Sequence, residues 1–151
     1  MTPTQVAAVR RSFSLVLPRA DAVARSFYER LFALDPRLRA LFGPDMADQR
    51  RKLMLTLGTV VQQLHQIDAL LPSVRALAVR HVGYGVEERH YAVVGRALLD
   101  ALARNVPEFA DGEREAWGAA YAVLSSAMMD AARAEPAERS SAKQASTLRA
   151  C

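Results

Sequence analysis

Residues 77–91 read Leu-Ala-Val-Arg-His-Val-Gly-Tyr-Gly-Val-Glu-Glu-Arg-His-Tyr. A helical pattern ends inside this stretch, a glycine-broken corner follows, and a new helix begins. Val74, Leu77 and Ala78 stand seven, four and three residues before His81, on the same helix face. The spacing puts an imidazole at the edge of an apolar stripe. Gly83 and Gly85 allow a chain reversal that most residues resist. A histidine on an apolar face is most often a core residue with a satisfied ring nitrogen. Presented into an apolar pocket beside a chain reversal, it can also bind iron from one side and leave the other side open.

Outward from this corner the pattern is helical in both directions. Towards the N-terminus, Ser73 reads as the cap of the helix that carries His81, with Leu70 to Pro72 as a connection. Before it, Asp45 or Asp48 caps a helix to about His65 with Leu53, Leu57, Val60, Val61 and Leu64 inward and Gln49 one turn before Leu53. Asp35-Pro36 caps a short helix over 36–42, which Gly43-Pro44 ends. Pro18 reads as opening a helix with Phe27, Tyr28, Leu31 and Phe32 on a wide apolar face. Thr2, Pro3 and Gln5 form a capping box for the first helix. Towards the C-terminus, Glu87 or Glu88 opens a helix through Asn105 with Val93, Val94, Ala97, Leu98 and Leu102 inward, and a last helix spans about 113–134. Residues 1–134 read as one domain. Residues 135–151 turn polar and small without periodicity and read as a disordered, dispensable tail. The segments do not fit a tidy four-helix bundle, so crossed packing around a cavity is expected: an all-α helical sandwich.

Composition narrows the function classes. About half of the chain is apolar (51%), enough for a core at 151 residues. Lys and Arg number 20 and Asp and Glu 16, a net charge of +4, but the signs alternate along the chain. That is a solvated surface and not a nucleic-acid footprint. The N-terminus has no signal pattern, and no apolar run is long enough to span a bilayer. The single cysteine, Cys151, excludes an internal disulfide and fits a reducing, cytoplasmic setting.

Several motifs, in order, carry a resemblance: Ser26 to Phe32, Asp35-Pro36 to Phe42, Asp48-Gln49-Arg50, Arg80-His81 through Gly85-Val86 to His90-Tyr91 and Val94-Gly95, and Ala116 to Tyr121. Over roughly residues 3–134 the chain resembles the globin family, specifically the globin domain of flavohaemoglobins and the single-domain bacterial haemoglobins. The resemblance implies haem b (iron protoporphyrin IX), with His81 as the proximal iron ligand and Phe42 wedged on the haem edge. Tyr28 and Gln49 would be the distal polar pair donating to O2, Leu53 the apolar wall over the iron, and Tyr91 a proximal neighbour of His81. Leu57, Leu77, Arg80, Tyr84, Val86 and Val94 would complete the haem contacts. His65 and His90 read as surface or pocket-edge residues. Flavohaemoglobins carry a last-helix glutamate that partners the proximal histidine. Its register falls here on Ala134, with Asp130 and Glu135 on other faces.

The expected function is O2 binding or delivery, or nitric oxide detoxification, with O2, NO and CO as ligands. The 151 residues hold no flavin or nicotinamide domain, so electrons are expected from a separate reductase. Neither a nucleic acid nor a membrane is expected as partner, and a homodimer is compatible with the chain. The competing reading is a helical sensor or interaction module in which haem signals or is absent.

Overall fold

A computed structural model of the chain describes residues 1–134. The tail read at 135–151, with Glu135 and Cys151, lies outside the described residues. Six α-helices form the described part: α1 (Pro3–Val16), α2 (Ala20–Leu34), α3 (Met46–Gln62), α4 (Ile67–Gly83), α5 (Glu88–Asn105) and α6 (Asp111–Arg133). Short 3-10 turns at Leu17–Arg19, Pro36–Leu41 and Leu64–Gln66 join some of them. Pro18 therefore sits in a 3-10 turn, and α2 proper starts two residues later. α2 packs against α5, while α6 packs against both α1 and α4. No described helix is long and apolar enough to cross a membrane.

Local chemistry sets most of the boundaries. Thr2 and Gln5 close the capping box at α1. Asp35 accepts from the Arg37 backbone N–H at 3.1 Å and opens the 3-10 turn. Asp45, not Asp48, caps α3, accepting from the Asp48 backbone N–H at 3.0 Å. α4 ends in a Schellman arrangement: Val86 N–H donates to the His81 carbonyl at 3.0 Å and Gly85 N–H to Val82 at 3.1 Å. Gly85 alone needs the left-handed backbone there, at φ +96°. Gly83 is an ordinary helical residue, which corrects the expectation that both glycines make the turn.

The start of α4 also differs from the sequence reading. The helix begins at Ile67, and Pro72 lies inside it. Leu70, Val74 and Ala78 are 3%, 6% and 0% exposed and form one stripe through the proline. A proline inside a helix costs about 3 kcal/mol. Burying Leu70 and Val74 on that stripe returns about 1.5–3 kcal/mol each, so packing overrides the break. Elsewhere the core is held by fully buried Leu31 and Leu102, and by Trp117, whose Nε1–H donates to Ser12 Oγ at 2.7 Å.

Candidate haem pocket

One large apolar cavity lies at the centre of the helices. About 220 Å³ of it is open to the centre of a water-sized sphere, whereas a single water needs about 10–15 Å³ by that measure. It is thus a seat for a molecule of many atoms and not a packing defect. Its wall includes Phe27, Tyr28, Leu31, Phe42, Leu53, Leu57, Leu77, His81, Val86, Tyr91 and Val94. Most of the sequence-named residues therefore meet on one wall.

His81 occupies the last turn of α4. Its Nδ1 is 2.8 Å from the Leu77 carbonyl, one turn back. A carbonyl only accepts, so Nδ1 carries the proton and Nε2 keeps its lone pair. Burial holds the imidazole below its ordinary pKa, against the Leu77 carbonyl, which favours the charged form. The ring is therefore neutral and ready to coordinate. No group of three or more carboxylate, histidine or cysteine side chains suited to a metal ion exists among the described residues. A metal in this cavity must arrive largely ligated already, as the iron of a porphyrin does. The single ready imidazole and the apolar walls fit haem.

The cavity wall also carries an aromatic cluster. The Phe42 ring meets Tyr28 at 5.5 Å and Phe32 at 5.6 Å, both edge to face. Arg39 Nη1 donates to the Phe42 and Gly43 carbonyls at 3.2 and 3.1 Å and fixes the chain beside the Phe42 ring. Tyr28 is buried on α2. Gln49, also buried, donates from Nε2 to the Tyr28 hydroxyl at 3.1 Å. Gln49 does not line the cavity. The two expected donors thus stand in series, with Gln49 behind and Tyr28 on the wall, because the first turns of α3 pack against α2 outside the cavity.

Two more of the named residues do not line the cavity. Arg80 is exposed and off the wall, since its position on α4 points away from the stripe of Leu77 and His81. Tyr84 also lies off the wall, at the helix cap, with its ring 5.9 Å from that of His81. His90, read from the sequence as surface or pocket-edge, lines the wall, and Tyr121 is a wall residue that the sequence reading did not name as such. His90 is buried, not at the surface, whereas His65 is exposed with Nδ1 2.6 Å from Arg10 Nη2. Ala134 is exposed at the end of α6, and Asp130 pairs with Arg133. No described carboxylate reaches His81.

Tyr121 is held by a close approach of α6 to α5. Its hydroxyl donates to the Tyr91 carbonyl at 2.6 Å. A Cβ on Gly95 would stand 2.7 Å from Tyr121 Cε2. Gly95→Ala should push the ring away, break that bond and destabilise the fold by about 1–3 kcal/mol. Urea midpoints of the two proteins measure it, and an unchanged midpoint would mean that Tyr121 has room to give.

The comparisons with known proteins come down on this same architecture. The family model described as Globin matches residues 25–128. The chain belongs to the globin family. The flavohemoprotein of Bordetella parapertussis is 30% identical to this globin over 138 residues, 89% of the chain but 34% of that protein. The chain spans about a third of the length of the curated relatives it matches. In fold it is similar to a bacterial globin from Campylobacter jejuni (TM-score 0.78, 21% identity, 88% of this chain and 97% of that one). It is also similar to an engineered carbene transferase, a putative nitric oxide dioxygenase from Rhodothermus marinus (TM-score 0.82, 23% identity, 93% and 99%).

The neutral His81 gives this globin a pH signature when haem is absent. The unfolded chain takes up the proton near pH 6.5, before the folded chain does. Stability is therefore full above about pH 6.5 and falls as pH drops towards the lowered folded value. His90, also lowered by burial, acts in the same direction. Asp21, Asp35, Asp48 and Glu88 are held low by arginine and lysine partners and act only below about pH 4. Urea midpoints of the haem-free protein at about pH 7.5 and about pH 5.5 read the window. His81→Gln should flatten the slope, and an equal slope in that variant would assign it elsewhere.

Proposed function

We propose that this globin holds haem b in the central cavity, with His81 Nε2 as the iron ligand and Tyr28 guarding the opposite face, and that it binds O2 there. The observation that carries the reading is the His81 tautomer: its proton is tied to the Leu77 carbonyl, and the lone-pair nitrogen belongs to a ring on the cavity wall. When bound, haem supplies the iron to which O2, CO or NO attaches. The chain's own residues do the rest. Phe42 and Leu53 wall the pocket and exclude water. Tyr28 offers a hydroxyl to a diatomic ligand in that dry space, and Gln49 orients the hydroxyl from behind.

A buried phenol braced in this way favours slow release of O2, which supports a second role. Nitric oxide, O2 and one electron combine to give nitrate. The electron would come from a reductase outside these 151 residues, and the flavohemoprotein relatives, matched over a third of their length, fit such a partner. We place the protein in the cytoplasm, in line with its single cysteine.

Purification and a pyridine haemochrome assay test the reading. One equivalent of b-type haem and a Soret band are expected, and NO consumption with an added reductase separates carriage from detoxification. A chain that binds no haem on reconstitution overturns the proposal.

A further inference from the structure

Two side-chain bonds join the first turns of α3 to α2. Gln49 Nε2 donates to the Tyr28 hydroxyl at 3.1 Å. Its neighbour Arg50 donates from Nε to Asp21 Oδ1 at 2.9 Å. Asp21 and Tyr28 stand seven residues apart on α2, so they share a face two turns apart, a separation of about 10 Å. Gln49 and Arg50 leave α3 from adjacent positions, about 100° apart around its axis. One turn of α3 thus grips α2 at two levels. A single bond between two helices is a pivot, and a second bond two turns away fixes the rotation about it. The cap of α3, Asp45, belongs to the same segment and sets no angle to α2. Asp45, Ala47, Arg51 and Lys52 are exposed, so packing restrains this end of α3 less than its interior.

The ion pair is built to restrain direction. Asp21 stands in the first turn of α2, where a carboxylate suits the helix dipole. Its second oxygen, Oδ2, accepts from Arg25 Nη2 at 3.0 Å, one turn on, so the carboxylate is itself held. Arg50, ahead of Arg25, keeps that carboxyl below its ordinary range and therefore charged at neutral pH. The Arg50 side chain is 21% exposed and that of Asp21 64%. A pair open to water on one side contributes little to stability, yet it still sets where the next residue of α3 points.

We propose that Arg50, anchored on Asp21, is a positioning residue for the ligand site: it holds the start of α3 so that the Gln49 amide stays on the Tyr28 hydroxyl and the hydroxyl stays aimed at the bound diatomic ligand. The inference rests on the reading of the cavity as a haem and O2 site. Neither Arg50 nor Asp21 lines the cavity, so both act through Gln49.

The test reads the ligand and not the fold. O2 release is timed by stopped flow in the haem-loaded wild type, Arg50→Met, Arg50→Lys, Asp21→Ala and Tyr28→Phe, and in Gln49→Leu with and without Arg50→Met. Methionine keeps an unbranched stem and removes the cation. Arg50→Met and Asp21→Ala should each release O2 about two- to fivefold faster, the span that the coupling of an exposed pair covers, and Arg50→Lys should stay near wild type. Adding Arg50→Met to Gln49→Leu should change nothing further, because the group that Arg50 positions is gone. The C–O stretch of the CO complex falls when a donor stands beside the ligand. It should rise in Arg50→Met as it does in Gln49→Leu, while the urea midpoint stays near wild type. Release at the wild-type rate in both Arg50→Met and Asp21→Ala, or equal acceleration by Arg50→Met with and without Gln49, overturns the inference; faster release in Tyr28→Phe then leaves the distal reading standing. Unchanged release in Tyr28→Phe overturns the distal reading and this inference with it.

Discussion

His81→Ala should yield a folded globin that purifies with little or no haem. Alanine suits the last turn of α4, and the Schellman bonds from Val86 and Gly85 run to backbone carbonyls, which the substitution keeps. The helix end therefore survives. What disappears is the single cavity-wall nitrogen with an available lone pair. His90 cannot replace it without giving up the Glu87 N–H, which would leave a helix-start donor unmet. The apolar walls alone hold a porphyrin only by area, and the metal bond is gone. The haemochrome assay should fall from one equivalent to a small fraction, and added free imidazole should fill the vacated space and restore the spectrum. Full haem retention with an unchanged Soret band would sink the assignment of His81.

Tyr28→Phe should release O2 about tenfold to a hundredfold faster than the parent. A hydrogen bond to a partly charged acceptor in a dry site contributes about 1.5–3 kcal/mol, and each 1.36 kcal/mol is a factor of about ten in rate. Phenylalanine keeps the edge-to-face contacts that Tyr28 makes with Phe27 and Phe42, at 4.8 and 5.5 Å, so only the hydroxyl is removed. Gln49→Leu should raise the rate by less, because Gln49 acts on the ligand through the tyrosine it donates to. The double variant should then match Tyr28→Phe, since the brace has nothing left to orient. Stopped-flow O2 release from all three variants decides this. An unchanged rate in Tyr28→Phe would mean that the hydroxyl serves the fold and not the ligand, and additive effects would mean that Gln49 reaches the ligand by itself.

Much of this was legible because helix geometry is local. An i to i+4 spacing puts Leu77 and His81 on one face whatever surrounds them, and the same spacing lets the Leu77 carbonyl choose the His81 tautomer. Asp35, Asp45 and Thr2 cap their helices through bonds two or three residues long. Such relations need no tertiary partner, so the sequence displays them. The motifs from Ser26 to Tyr121 carried the resemblance to the globin family because each is a short run of residues that the sequence itself displays.

Other features depended on what lay tens of residues away. Pro72 read as a break, yet the burial of Leu70 and Val74 against Tyr91 and Met128 carries α4 straight through it. Arg80 and Tyr84 stand in the corner motif and do not line the cavity, since Arg80 lies on the exposed face of α4 and Tyr84 caps the helix end. Gln49 shares a stripe with Leu53, but its amide meets the hydroxyl of Tyr28, 21 residues earlier, before it can meet the cavity. Gly95 stands in one of the carrying motifs, but only the ring of Tyr121 laid against it shows why a side chain there would clash. His90 reads as a surface or pocket-edge residue, and only the tertiary packing decides for the edge and encloses it, at 5% exposure on the cavity wall. Periodicity and capping thus determined the helices, the corner and the placing of His81. The packing of helices distant in sequence decided which polar groups are enclosed and which partner each one meets, because enclosure depends on surfaces that no local spacing encodes.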